Sequence, residues 1–469
     1  MFERLLNPRS IAVVGASRNP EKIGNVVIRN LIKSGYKGKI YPVNPKCDEI
    51  FGHKCYPDVK SIPDEIDLAV IVLPAKFVLP VLKDCVDKGI RFVIPIAGGF
   101  GETGEEGKKA EEEMRKMIQG KITRIIGPNT VGIYIPRYGV NTALTAPEKT
   151  DFPPDGDIAF ISQSGALGLL TMDEMSKFSV GFGAFINLGN RVDLNENELM
   201  EFFAEDENIK SIVMYIETFA NAREFVEKAR EISKKKPIIV LKAGRTSSGA
   251  KAAASHTGAL ASNDRIVDGA LKQCGAIRAY DEEEMIDYAR ALAYQKPLFG
   301  DNIAIVTTAG GVGVVTADYV EEFGLRVAQL SEETKRKIKE DILPFASANN
   351  PIDMTASASD DHYDSVLEVL NEDEGVDGII VYALFQTPLV TEKVVDVIEK
   401  WAKKKPTVVG VIGGSKVEKY IKEFEKRKIP VYPSIIRCVK SMVALRKRGK
   451  YLEKVKKKSN PSEIVGIEQ

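Results

Sequence analysis

One pattern recurs three times along this chain and restricts its fold more than anything else in it. A short β-branched run passes into a loop of Gly and small residues, and the loop into a helix-like segment. It appears as SIAVVGASRNPEKIGNVVIRNL (Ser10–Leu31), as GDIAFISQSGALGLLTMDEM (Gly156–Met175) and as DNIAIVTTAGGVGVVTADYVEEFG (Asp301–Gly324). Strands of a parallel sheet are covered on both faces and read as unbroken apolar runs, while the helices between them keep a period near 3.6. Further strand candidates follow each unit: GKIYPVN, DLAVIVLP and RFVIPIAG; then GFGAFINLG, SIVMYIET and PIIVLKAG; then GIIVYALF, TVVGVIGG and IPVYPS. The expected class is α/β, with three doubly wound domains in series. A length of 469 residues suits that number, since domains run to about 100–200 residues each. Pro- and Gly-rich stretches at Thr145–Asp157 and Tyr294–Asn302 set the expected domains at 1–145, 146–297 and 298–469.

Charge excludes some functions. Lys plus Arg and Asp plus Glu are 66 each, so the basic excess of a nucleic-acid binder is missing and none is expected as partner. Lys234–Lys236 and Lys456–Lys458 read as solvated helix ends. No apolar run approaches the roughly 18 residues of a membrane span, and MFERLLNPRS lacks a signal core, so no membrane partner is expected. The five cysteines (Cys47, Cys55, Cys85, Cys274, Cys438) are scattered without CxxC spacing or a His cluster. No metal site is expected on this chain, and a reducing cytoplasm is its expected location.

In doubly wound sheets ligands bind beyond the carboxyl ends of the strands. VVGASRNPEKIGN follows a strand and opens a helix, the context in which backbone N–H groups hold phosphate. Its glycines, Gly15 and Gly24, do not make G-x-G-x-x-G, and the second strand ends in Asn44, Pro45 and Lys46 without an acidic residue. A lysine there suits an additional phosphate better than a ribose diol. The plain alternative for such a loop is tight helix–strand packing. An NAD(P)-dependent oxidoreductase is a rival reading, weakened by the missing fingerprint. Together with VLPAKF and IPIAGGFGETG, the loop and lysine favour a phosphate-bearing nucleotide other than NAD.

VVGASRNPEKIGN, YPVNPK, VIVLPAKF, PIAGGFGETG and IIGPNTVGIYIP resemble the CoA-binding domain of the acyl-CoA synthetase (nucleoside-diphosphate-forming) superfamily, which includes succinyl-CoA synthetase. ISQSGALG, YIETF and SHTGALA resemble that family's second domain, in the same order, and residues from about 300 resemble the C-terminal domain of the succinyl enzyme's β subunit. The likeness covers nearly the whole chain, and the domain order is similar to that of α subunits of ADP-forming acetate–CoA ligases. It implies a Rossmann-like CoA-binding domain followed by two flavodoxin-like domains, the first carrying a phosphohistidine loop. The CoA contacts it implies are Gly15, Ala16, Ser17, Arg18, Asn25, Lys46, Pro74, Ala97, Gly98, Gly99 and Asn129.

AAASHTGALAS (Ala252–Ser262) sets His256 among residues too small to pack against it. A histidine that carries phosphate needs a neutral ring, a carboxylate to fix its tautomer, and donors for the phosphoryl group. Its ordinary pKa of about 6.5 meets the first need. Glu217, ending SIVMYIE, is the candidate for the second; accepting from Nδ1–H, it leaves Nε2 as nucleophile, the pairing the resemblance also implies. For the third, Ser162, Gln163, Ser164, Gly165 and Ala166 form a strand-to-helix turn, and the turn around Thr355–Ser359 offers Ala356 and Ser357. Small residues also suit a loop that carries phosphate between two sites. The plain alternative makes Ser255 or Thr257 a helix cap and His256 an exposed bystander. His53 and His362 lack a strand-end carboxylate and read as structural.

The resemblance implies an acid–thiol ligase that turns acyl-CoA, ADP and phosphate into acid, CoA and ATP through an acyl phosphate and a phosphohistidine. No G-x-x-x-x-G-K-[ST] occurs, TTAGGVGVVTADY lacks the lysine, and nothing resembles an ATP-grasp domain. ADP/ATP and Mg²⁺ are therefore expected on a partner ATP-grasp β subunit, in an α₂β₂ assembly by resemblance. A non-catalytic CoA-binding regulatory or scaffold protein is the alternative. Phe185–Leu199 is expected to line the acid pocket.

Overall fold

In the computed structural model, which describes residues 2–251 and 263–459, the first recurrent unit opens a five-stranded sheet. Its strands are β1 (Ser10–Val14), β2 (Lys39–Val43), β3 (Leu68–Ile71), β4 (Phe92–Pro95) and β5 (Arg124–Ile125), ordered β2-β1-β3-β4-β5 and all parallel. Every residue of β1 and β3 is buried, which is why both read as apolar runs without alternation. Each such Ile or Val contributes about 1.5–3 kcal/mol by leaving water. Helices α1 (Ile23–Lys33), α2 (Val78–Lys88) and α3 (Glu105–Ile118) connect these strands. Helix α3 has Glu105 and Glu106 in its first turn and Arg115 and Lys116 in its last, matching the helix dipole at both ends. The strand order reverses between β1 and β3, so the loops after them part and leave a crevice at the carboxyl edge.

The second recurrent unit supplies β8 (Asp155–Ser162), which lies between β9 (Phe182–Asn187) and β10 (Ser211–Ile216), parallel to both. Helix α4 (Gly165–Lys177) follows β8 and α5 (Glu196–Glu205) follows β9. Beyond β9 the sheet continues antiparallel through β6 (Ile133–Ile135) and β7 (Val140–Asn141). These two strands precede the Pro/Gly-rich stretch at Thr145–Asp157, yet they belong to the second sheet. A three-residue apolar run carries no mark of which sheet it will join, and the turn-rich stretch marks a bend in the chain only.

The third unit opens a sheet of β11 (Asn302–Thr307), β12 (Arg326–Val327), β13 (Ile352–Asp353), β14 (Gly378–Tyr382), β15 (Thr407–Gly410) and β16 (Val431–Tyr432). Its order is β12-β11-β14-β15-β16, with β13 also beside β11, and every pair is parallel. The α/β class with parallel sheets in series is thus found as expected. The described chain divides into two compact units: residues up to 177 with 181–232 and 240–274, and residues 178–180 with 233–239 and from 275 onward. Lys234 and Lys235 close the helix Ala222–Lys235, and Lys456–Lys458 fall in the last turn of Ile435–Ser459, as expected of helix ends. Among the described residues no helix is long and apolar enough to cross a membrane and no cluster could hold a metal ion. None of the five cysteines forms a disulfide.

Candidate active site

At the carboxyl edge of the first sheet, where β1 and β3 part, lies a cavity of about 760 Å³. Gly15, Ala16 and Ser17 line it after β1, Pro74 after β3 and Ala97 after β4. Gly15 has a φ of +93°, and a Cβ there would stand 2.9 Å from the Val72 carbonyl oxygen. A Cβ on Gly24 would stand 2.1 Å from the Gly15 carbonyl oxygen. Loop and helix therefore meet backbone to backbone, and that packing brings Lys22–Gly24, at the start of α1, onto the cavity wall. The tight helix–strand packing of the plain alternative is present, and it also shapes the cavity wall. Asn44, itself on the cavity wall, donates to the Ala16 carbonyl at 2.7 Å and Asn25 to the Ser17 carbonyl at 2.9 Å, so two side chains brace the loop. Asn25, an expected ligand contact, is 2 % exposed and stands behind the loop instead of lining the cavity. Arg18 and Lys46 are exposed; Arg18 Nε donates to the Glu49 carbonyl at 2.9 Å, and the Lys46 N–H donates to Asn44 Oδ1 at 2.9 Å. The wall carries Glu21, Asp58 and Asp84 against Lys22 alone, and neither Arg18 nor Lys46, both expected ligand contacts, lines it.

A second cavity, of about 390 Å³, opens at the carboxyl edge of the second sheet. Gln163–Ala166 reach it after β8, Gly189–Arg191 after β9, and Glu217 with Thr218 after β10. Ile96, directly after β4, lines both cavities. Glu217 is 7 % exposed, so its carboxylate meets the cavity from a largely desolvated position. Gln163 Oε1 accepts from the N–H groups of Glu217 (2.8 Å) and Thr218 (3.1 Å), while its Nε2 donates to the Thr218 carbonyl at 2.7 Å. One amide thus clamps the strand end that presents Glu217. The Ser162 hydroxyl donates to the Ser164 carbonyl at 2.7 Å, and the residue is fully buried, so it shapes the turn from beneath. Ser164, Gly165 and Ala166 open the first turn of α4 on the cavity, where helix N–H groups lack intrahelical partners and the dipole favours an anion.

Asn129, expected beside the first cavity, lines the second. It is tied to Ala97 by its N–H, at 2.9 Å from the Ala97 carbonyl. Gly98 and Gly99 are exposed and line neither cavity; a Cβ on Gly98 would stand 3.0 Å from Asn129 Oδ1. The stretch Phe185–Leu199 reaches the second cavity only through Gly189–Arg191, because Phe185, Leu188, Leu194 and Leu199 pack in the core at 0–1 % exposure. His256 lies outside the described residues. Ala356 and Ser357 are exposed in the turn after β13, and Asp360 and Asp361 occupy the first turn of the following helix, Asp360–Glu372. His362 accepts from the Ser359 N–H at 3.0 Å as part of that helix's cap, a structural use. His53 pairs with Ile50 in a short hairpin. Burial pushes the Cys85 thiol up to about 12 and the Cys438 thiol further, so neither is a thiolate near neutral pH.

Several polar residues of the second cavity carry no motif that sequence reasoning could have used. Arg191, at a φ of +54°, donates through Nη1 to Glu196 Oε2 and the Thr218 carbonyl and through Nη2 to Thr218 Oγ1, each at 2.8 Å. Glu196 is fully buried and accepts from the Ala220 N–H at 2.7 Å, so this cation is locked beside the Glu217 strand end. Asn190 donates to Glu102 and, at 2.8 Å, to Glu111, and accepts from Asn129 at 3.2 Å. Burial works against ionisation of Glu102, but the amide of Asn190 and the N–H groups of Gly99 and Phe100 outweigh it and hold its carboxyl below the usual range. The whole assembly suits an anionic substrate: a helix start, a fixed guanidinium, and a buried carboxylate able to orient a ring.

Known proteins are similar over the same range. Residues 9–136 match the CoA binding domain family, residues 155–292 the succinyl-CoA ligase like flavodoxin domain, and residues 303–451 the ligase-CoA domain. The α subunit of an ADP-forming acetate–CoA ligase (I) of Pyrococcus furiosus is 43% identical over 465 residues, 97% of this chain and 100% of that one. A second such α subunit (II) from the same organism is 42% identical, over 92% of this chain and 94% of its own. A solved structure of the dinucleotide-forming acetyl-coenzyme A synthetase 1 of Ca. Korarchaeum cryptofilum, with phosphate and ADP, superposes with a TM-score of 0.88 at 37% identity, covering 97% of this chain and 99% of that one.

Proposed function

This chain belongs to the ADP-forming acetate–CoA ligase family, and on that premise we propose that it is the α subunit of an acid–thiol ligase working on acyl-CoA. The observation that carries the reading is the second cavity. It joins Glu217 to the first turn of α4 and shares Ile96 with the larger cavity next to it. CoA takes the larger cavity, its phosphates at the start of α1 and beside Arg18 and Lys46, and its thioester reaches past Ile96 into the smaller one.

The reaction runs in three transfers. Phosphate attacks the acyl-CoA carbonyl; a C–O bond forms, the C–S bond breaks, and CoA leaves as thiolate. Nε2 of His256 then attacks phosphorus of the acyl phosphate, the acyl C–O–P bridge breaks on its phosphorus side, and the carboxylate departs. The phosphohistidine finally gives its phosphoryl group to ADP, forming ATP. Glu217 accepts from Nδ1–H and keeps Nε2 unprotonated for attack. Ser164–Ala166 at the start of α4 hold the phosphoryl oxygens; Arg191 balances their charge. Such transfers depend mostly on positioning and charge. ADP and Mg²⁺ belong to an ATP-grasp β subunit in an α₂β₂ assembly, where the metal neutralises the nucleotide phosphates. Cysteines without a disulfide fit a cytoplasmic setting.

The test uses the chain with its partner subunit. Incubation with acetyl-CoA and ³²P-phosphate is expected to leave an acid-labile, base-stable label on this chain, absent in His256→Ala. A label that survives His256→Ala sinks the reading.

A further inference from the structure

Most residues lining the second cavity are polar or charged, and the larger apolar side chains among them are Ile96, Val131 and Leu144. Val131 and Leu144 are half-buried, with their remaining exposure towards the cavity they line, and Ile96 joins them from the CoA side. Val131 stands directly at the helix start: a Cβ on Gly165 would come within 2.5 Å of Val131 Cγ1. Both residues are held by buried amides. The Val131 N–H donates to Asn187 Oδ1 at 2.8 Å, and Asn187 Nδ2 donates to the Ser162 carbonyl at 2.9 Å, so one fully buried side chain ties Val131 to the turn before α4. Asn30, fully buried in α1, donates to the carbonyls on either side of Leu144, Ala143 at 2.8 Å and Thr145 at 3.0 Å.

An acyl phosphate has a charged end and an apolar end. With its phosphoryl group at the first turn of α4, Val131 is the apolar side chain beside it and Leu144 lines the same cavity, while the thioester sulfur enters past Ile96. We infer that Val131 and Leu144 form the acyl pocket and set the size of acid accepted. This rests on the ligase reading above and names the substrate class of the same site. Because amides fix the backbone of both residues, the pocket cannot widen without cost, and its depth follows from the side chains alone.

The experiment measures kcat/KM of the complex of this chain with its partner subunit for acetyl-CoA and isobutyryl-CoA, followed by ATP formation. One methylene in an apolar pocket shifts discrimination by roughly tenfold or more. Leu144→Ala is expected to raise the isobutyryl-to-acetyl ratio about tenfold, and Leu144→Phe to lower it by a similar factor. Val131→Ala carries the same expectation as Leu144→Ala, so a Leu144 variant that fails to fold leaves the measurement intact. A merely structural role would lower both substrates together and leave the ratio where it was. An unchanged ratio, a shift in the same direction for Ala and Phe, or loss of both activities in folded variants overturns the inference. If the native complex forms ATP from neither acyl-CoA, the ligase reading itself fails.

Discussion

The two cavities of the first unit lie at the same place on their sheets, beyond the carboxyl ends of strands, yet their walls are built differently. The larger is walled by backbone and aliphatic surface, with Gly15 and Gly24 allowing a loop and a helix to touch. Arg18 and Lys46, proposed above for the anion, are exposed and outside its lining. The smaller is walled by amides and charged side chains locked by one another: Gln163 on the Glu217 strand end, Glu196 on Arg191, Asn190 on Glu102 and Glu111. A site that only holds a ligand can take its polar contacts from backbone and solvated lysines. One that orients a reacting group needs side chains whose rotamers are already fixed, since mobility there costs rate directly.

That contrast can be broken. Glu217→Gln is expected to lower turnover of the complex about a thousandfold, the loss typical of a removed proton-orienting group, while KM for CoA stays put. A large rise in KM instead would erase the division of labour. Gln163→Ala releases the clamp on the same strand end and is expected to lower kcat by ten- to a hundredfold with little change in KM. Gly24→Ala acts on the other cavity: overpacking costs about 1–3 kcal/mol, seen as a lower Tm and a higher KM for CoA, with phosphorylation of the chain by acyl phosphate retained. Lys46→Ala, at a solvated rim, is expected to raise KM for CoA no more than about fivefold, and less at high salt. The smallest effect is on pH. Glu102 ionises below its ordinary range of about 4.3, so its hydrogen bonds stabilise the fold above that value and are lost as pH falls through the lower, folded one. The Tm of Glu102→Gln is expected to vary less with pH across that window.

Much of this was legible in the chain. Strands such as SIAVV and LAVI are buried on both faces, so their composition alone betrays a parallel sheet. Glu217 and Ser164–Ala166 were found because a strand end followed by small residues is a local signal, and both reach one cavity. Arg191, Asn190 and Glu111 were not, because their roles depend on partners tens of residues away: Arg191 on Thr218, Asn190 on Glu102 and Glu111. Of Phe185–Leu199, the stretch expected to line the acid pocket, only Gly189–Arg191 reach the second cavity, for a related reason. An apolar side chain at a strand interior and one at a cavity wall look alike in sequence, and those of β9 went into the core.

By itself, then, the sequence determined the class of fold, the carboxyl-edge loops where ligands bind and the residue types able to move a phosphoryl group. These follow from hydrophobic period and from loop chemistry, which act over a few residues. Tertiary structure alone decided that Gln163 clamps a strand end, that Asn25 braces a loop from behind and that Ile96 stands between two cavities. Such roles are set by which strands lie side by side, and hydrogen bonds between distant segments exist only once that order has formed.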